Sequence, residues 1–345
     1  MAISWQKTKF WFYLVLVSLV VRAAFFYDHL HSPLLLGQDL LYQVKDGSSL
    51  IQVAADLERR GILTHAADLV LFARMTQQAD SIRVGEYQLE VGMNPLRLLG
   101  KLVRGEVKYH QLVLLEGWTA FQALKAIQKN EYIVTTLDAE NNDELQAELG
   151  LTIHPEGLFF PDTYNFSRGT TDREILYQAR VLMTEILARE WMARDSGLPY
   201  ENSYEALIMA SIIEKETALR AEQGKIAGVF IRRLQAGMRL QTDPTIIYGL
   251  GAAFTGNLTR TNLLQNTPYN TYMNKGLPPT PIALPGRDAI VASLHPDQGE
   301  ALYFVARGDG SHHFSVTLEE HNDAVRRYQI DRRLENDPAL PVPEN

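Results

Sequence analysis

The chain has 345 residues, 46% of them hydrophobic, with 33 Lys and Arg against 41 Asp and Glu for a formal charge of -8. Such a length and apolar content supply two or three ordinary domains with real cores and exclude a disordered chain. The acidic balance without a basic stripe argues against nucleic acid as a partner. The absence of cysteine removes a disulfide scaffold, a thiolate zinc site, a cysteine nucleophile and a lipid-modified cysteine anchor.

The run Phe10 to Tyr27 is almost wholly apolar, preceded by Lys7 and Lys9 and followed by Asp28. As a helix it spans roughly 27 Å, enough to cross a bilayer. Arg22 lies near its outer end, where a long side chain can reach the interface. The leading lysines put the amino terminus in the cytoplasm and everything after residue 28 outside. A cleaved signal peptide is the alternative, but Val-Arg-Ala is a poor cleavage site, so an uncleaved anchor is preferred.

From about residue 40 a strand-turn-helix pattern recurs three times. Gly47, Gly92 and Gly117 each stand two residues before a capping residue, Ser49, Asn94 and Thr119. An extended stretch precedes each (Leu41 to Val44, Tyr87 to Leu89, Leu112 to Leu115) and a helical pattern follows (Ile51 to Leu57, Leu96 to Val103, Phe121 to Ile127). None of these units can close a core alone, so they are expected to pack as one α+β domain over residues 40–130. The polar stretch Asn130 to Ile153 reads as a helical connection, and Glu156 to Tyr164 as a loop of aromatics bracketed by turn residues.

Helices are then expected over Asp172 to Ala193, Tyr204 to Thr217 and Lys225 to Gln235, the last stopped by Gly237. In the second, Asn202 and Glu205 have the capping-box spacing. Ala206 to Ile213 is apolar or small throughout, so this helix is expected in the core. It ends in Glu214-Lys215-Glu216-Thr217. At 100° per residue Glu216 shares a side with Met209, Ile212 and Ile213 while Glu214 points away, so the two carboxylates cannot act together. Gln241-Thr242-Asp243-Pro244 is a turn, in which Asp243 either meets a ligand or caps a helix from Pro244 to Tyr248. Tyr269-Asn270-Thr271-Tyr272 combines amide, hydroxyl and aromatic groups suited to sugars, or is simply a polar loop. Leu277 to Gly286 is extended by its prolines, either as a linker or wrapped on the domain. Ala301 to Ala306 and His313 to Val316 make a hairpin around Gly308-Asp309-Gly310. His312-His313 lacks partners at ligand spacing, so no metal is expected. The Pro-rich end from Asn336 to Asn345 is expected to fray.

No Walker motif, complete Gly-x-Gly-x-x-Gly or nucleophile elbow occurs, which leaves carboxylate chemistry. A carboxylate ending a buried helix is desolvated and its pKa rises, as a general acid requires. The strings Ala210 to Thr217, Arg239 to Thr245, Glu156 to Tyr164, Tyr269 to Tyr272, Gly276 to Pro279 and Leu302 to Ala306 together resemble the membrane-bound endolytic murein transglycosylases of the MltG or YceG-like type. The resemblance implies a transmembrane helix, a LysM-like α+β subdomain that grips glycan or serves as a spacer, and a mainly helical, lysozyme-like catalytic domain over residues 154–335. It also implies Glu216 as the single catalytic acid, because Glu216-Thr217 matches the wider lytic transglycosylase pattern, with Glu214 as fallback. Sugar contacts are expected from Glu156, Gln241, Thr242, Asp243, Tyr248, Tyr269, Asn270 and Tyr272. Implied partners are peptidoglycan strands and the inner membrane, with peptidoglycan synthases as candidate neighbours, and no cofactor. A hydrolase using Asp162 or Asp243 as a second carboxylate, and a non-catalytic glycan scaffold, remain the alternatives.

Overall fold

The structure is a computed structural model that describes residues 2–331; the Pro-rich end expected to fray lies outside the described residues. Two compact units divide the chain: residues 1–110 with 165–170, and residues 111–164 with 171–345.

The first unit holds α1 (Ala2–His31), β1 (Leu40–Val44), α2 (Leu50–Arg59), α3 (Ala66–Met75), β2 (Gly85–Leu89) and α4 (Pro95–Arg104). Within α1, Lys9–His31 is long and apolar enough to cross a membrane, and Phe10 to Val21 is exposed throughout. The far end of α1 does not share that exposure. Leu30 and, just beyond it, Leu34 are buried in the unit's core, and Arg22 donates to Asp68 on α3. The caps follow the sequence pattern. Ser49 closes a capping box with Gln52 at the start of α2, and Asn94 accepts from the Arg97 amide at the start of α4, with Pro95 in the first turn. β1 and β2 pair antiparallel, Leu40 opposite Leu89 and Val44 opposite Gly85, and Tyr42, Val44, Tyr87 and Leu89 point into the core with Leu50, Leu57, Leu98 and Leu102. The repeat pattern did not contain α3, which packs against α2.

The second unit carries the end of β3 (Tyr109–Val113), α5 (Ala120–Gln128), α6 (Asn142–Glu148), the start of β4 (Thr163–Ser167), α7 (Asp172–Ala193), α8 (Ser203–Glu216), α9 (Arg220–Gln235), α10 (Asp243–Leu250), α11 (Arg260–Leu264), α12 (Arg287–Leu294), β5 (Tyr303–Ala306), β6 (His312–Ser315) and α13 (Leu318–Val325). The third repeat therefore falls here, not with the first two as the pattern had grouped it. Its helix α5 packs on α7, and the first-turn amide of Ala120 donates to Glu156, bonds that tie it to this core. Its strand β3 pairs with β4, in the stretch read from sequence as the edge of a loop. The expected helical connection over 130–153 is helical only in α6.

The helical core of the second unit is arranged around α8. Ala206 to Ile213 are each at most 4% exposed. The most extensive helix contact is with α12, which the sequence reading had not anticipated, and α9, α7 and α10 pack against α8 as well. Asn202 caps α8 by accepting from the Tyr204 and Glu205 amides, but Glu205 closes no capping box: its carboxylate accepts from the Glu201 amide, one residue further back. The proline-rich segment is no linker. Ile282, Ala283 and Leu284 are buried, the Ile282 amide donates to Ser211 Oγ at 2.9 Å, and the Gly286 amide donates to Glu214 at 3.1 Å. The hairpin β5–β6 is antiparallel, Tyr303 opposite Ser315 and Ala306 opposite His312.

Candidate active site

Because α8 is enclosed on all sides, its last turn is the place where its polar groups can emerge, and the two carboxylates there emerge differently. Glu214 turns toward the proline-rich segment and accepts from the Gly286 amide. Glu216 opens into a cavity of about 490 Å³, a size suited to sugar-scale ligands. Thr242, 1% exposed, donates its hydroxyl to Glu216 Oε1. Burial raises the pKa of both carboxyls; Glu216 reaches about 7 because desolvation outweighs the Thr242 hydrogen bond, with Asp243 adding to the rise and Arg233 opposing it. A shift from 4.5 to about 7 favours the acid form by about 3 kcal/mol, so a substantial fraction is protonated at neutral pH. The two shifts run in the same direction; what separates the carboxyls is that Glu216 lines the cavity and Glu214 does not.

Gln241, Asp243 and Tyr272 line that cavity. Gln241 sits at φ 52°, a left-handed conformation uncommon for a residue with a side chain, directly before the residue that holds the acid. Asp243 does not cap α10: α10 begins at Asp243 itself, and this carboxylate accepts from the Tyr272 hydroxyl at 2.7 Å. The other expected contacts lie outside the cavity lining. Glu156 is fully buried and accepts from the Ala120 amide at 2.8 Å, the Tyr248 hydroxyl at 3.1 Å and Asn142 Nδ2 at 3.3 Å, so it braces the fold. Tyr248 packs edge-on against Tyr269, whose hydroxyl meets Thr280, and Asn270 Nδ2 reaches the carbonyls of Asn262, Leu263 and Gln265 to shape its own loop. That loop places Thr271 Oγ1 3.1 Å from the Thr242 amide, so its structural role still bears on the acid. Asp162 is exposed, does not line the cavity and accepts from its neighbour Thr163, which leaves Asp243 as the other carboxylate of the cavity.

Sequence reasoning missed Arg233, Tyr303, His312 and His321, which also line the cavity. Arg233 donates to the Leu302 and Leu240 carbonyls, both at 2.7 Å, and lies against the Tyr303 ring. A signal for it existed: it stands three and four residues after Phe230 and Val229, on the buried face of α9. His312 is held by Glu222 at 2.8 Å.

The Thr242 contact gives a direct expectation. Thr242→Val preserves shape but removes a bond that stabilises the carboxylate, so the pKa of Glu216 should rise further. An acid that must be protonated loses activity as pH rises through its pKa, so the alkaline limb of the pH–rate profile should move to higher pH in this variant. An unmoved limb would mean that Thr242 does not tune the acid. Glu156, pushed to about 7 by burial, affects stability instead. Its folded pKa lies above the unfolded one, so the folded state holds the extra proton. Its contribution to stability is then fully present below pH 4.5 and is lost, by about 3 kcal/mol, as pH rises through 7. Chemical denaturation of Glu156→Gln across that range should show a flatter slope than wild type.

The YceG-like family profile matches residues 42–327. The chain belongs to the YceG-like family. Among its relatives, an endolytic murein transglycosylase of Bacillus subtilis is 32% identical over 303 residues, covering 83% of each chain. A pneumococcal protein of the same name, from Streptococcus pneumoniae, is 26% identical over 83% of this chain and 57% of its own length. A crystal structure of a YceG-like protein from Listeria monocytogenes matches with a TM-score of 0.51 and 29% identity, covering 83% of this chain and 99% of that one.

Proposed function

We propose that this YceG-like chain is an endolytic murein transglycosylase that cleaves the β-1,4 bond between N-acetylmuramic acid and N-acetylglucosamine within nascent peptidoglycan strands, ending their elongation. The observation that carries this reading is that, of two carboxyls with raised pKa at the end of a buried helix, Glu216 is the one that opens to a cavity of sugar size. The names of the curated relatives support it.

In this mechanism protonated Glu216 gives its proton to the glycosidic oxygen as the bond from the muramic C1 breaks. The resulting Glu216 carboxylate then takes the proton of the muramic C6 hydroxyl, whose oxygen closes on C1. Water is not consumed, and the product carries a 1,6-anhydromuramic end. Gln241, Asp243 and Tyr272 are the sugar contacts. The Tyr272–Asp243 bond occupies one carboxylate oxygen of Asp243, which favours a positioning role over that of a second catalytic carboxylate.

The apolar run that begins at Phe10 serves as an inner-membrane anchor, with Lys7 and Lys9 holding the amino terminus inside and the chain after residue 28 in the periplasm. Within the region 40–130, the β1–α2 and β2–α4 repeats form a LysM-like module; residues 154–335 form a lysozyme-like catalytic domain. The test is digestion of purified glycan strands by the full chain in detergent, with the new ends read by mass.

A further inference from the structure

The first unit contains a cluster that takes no part in glycan chemistry. His29 at the end of α1, His65 just before α3 and Asp68 on α3 bring one potential ligand atom each to within 4.8 Å of one another. They line a cavity of about 390 Å³ together with Arg22 and Glu58. The Asp68 side chain is 6% exposed and accepts from the Arg22 guanidinium. His29 Nδ1 lies 2.6 Å from Asp68 Oδ2, and the His29 and His65 rings lie face to face, 3.5 Å between centroids and 14° apart. Two imidazoles beside a carboxylate are the ligand set that a borderline divalent cation such as Zn²⁺ selects.

We propose that His29, His65 and Asp68 form a divalent transition-metal site that clips the outer end of the anchor helix to the first folded unit. Ligand atoms about 2 Å from a tetrahedral ion stand roughly 3.3 Å apart, so the widest pair has to close by no more than about 1.5 Å and the His29–Asp68 pair has to open from 2.6 Å. His65 can make that adjustment: it is exposed, and its side chain makes no capping bond to α3. For His29 a tautomer shift that moves the ring proton to Nε2 turns Nδ1 into a lone-pair donor without net proton release. Arg22 holds Asp68 Oδ1 most closely and reaches Oδ2 only at 3.4 Å, a long contact that an ion on Oδ2 would replace. Glu58, whose Oε1 accepts from the Ala66 amide at 2.9 Å, adds negative charge to the same cavity and offsets part of the ion's. Such a clip fixes the direction in which the first unit leaves the membrane. A cation joining residue 29 to residues 65 and 68 closes a loop and adds to the Leu30 packing and the Arg22–Asp68 bond that already hold the end of α1.

The experiment uses the full chain in detergent, stripped with EDTA and dialysed against Co²⁺ or Zn²⁺. One equivalent should bind per chain, Co²⁺ should develop the visible absorption of a low-coordinate site, and the melting temperature should rise. His65→Ala and, separately, His29→Gln should each lose that equivalent, the absorption and the thermal shift, while His295→Ala, which removes a histidine paired with Asp195 elsewhere, keeps all three. No stoichiometric metal in the wild type, or equal uptake by both His65→Ala and His29→Gln, would overturn the site.

Discussion

Glu216→Gln should lower glycan cleavage by roughly 10² to 10⁴, the usual contribution of a general acid, while leaving the fold intact. The amide is nearly isosteric, can still accept from Thr242 and lies at a helix end whose burial does not depend on its charge. What it lacks is the proton. Glu214→Gln is the matched control, because its carboxylate faces the Gly286 amide, a bond that a glutamine oxygen can also accept. Cleavage should stay near wild type in that variant. The reverse pattern, a silent Glu216→Gln beside a dead Glu214→Gln, would move the acid to the other face of α8.

The largest stability effect is expected at a glycine in the Glu156-Gly157 motif. Gly157 sits at φ +79°, and a Cβ there would stand 2.6 Å from both Cβ and Cγ of Pro281. The left-handed backbone costs a side-chain residue about 1–2 kcal/mol, and forcing a carbon into a packed core adds typically 1–3. The Pro281 ring cannot rotate away as a long side chain would. Gly157→Ala should therefore destabilise the chain by about 2–5 kcal/mol, read as a lower midpoint in urea with an unchanged slope. The damage should extend to activity, since Pro281 leads directly into Ile282, whose amide is held by Ser211 of α8. A midpoint within error of wild type would mean that the loop yields more easily than its packing implies.

Much of this was legible in the sequence because it was local. Ser49, Asn94 and Thr119 act within one turn of their own helices, and the unbroken apolar run of α8 could be satisfied only by burial. Gln241, Asp243 and Tyr272 reached the cavity because the tight turn after α9 and the loop before Gly276 both end beside Glu216. What stayed hidden depends on partners distant in the chain. Glu156 reads as a sugar contact at the head of an aromatic string, yet its oxygens are claimed by Ala120, Tyr248 and Asn142, which no spacing rule connects. The third repeat looks like the first two, but its strand finds β4 rather than their sheet. His29, His65 and Asp68 escaped a search for ligand spacing because the fold of the first unit, not a short motif, gathers them. Arg233 was hidden by its type: an arginine on a helix reads as solvated until the carbonyls that receive it are seen.

The measurement that bears most directly on the central claim is the mass of the new glycan ends released by the full chain from purified peptidoglycan strands. One carboxyl that first donates and then recovers a proton, closing the muramic C6 oxygen onto C1, yields ends one water lighter than reducing sugars. A digest dominated by those anhydro ends, and missing them in Glu216→Gln, is the expected result; water-containing reducing ends alone would contradict the transglycosylase mechanism and make Asp243 the second carboxylate of a hydrolase.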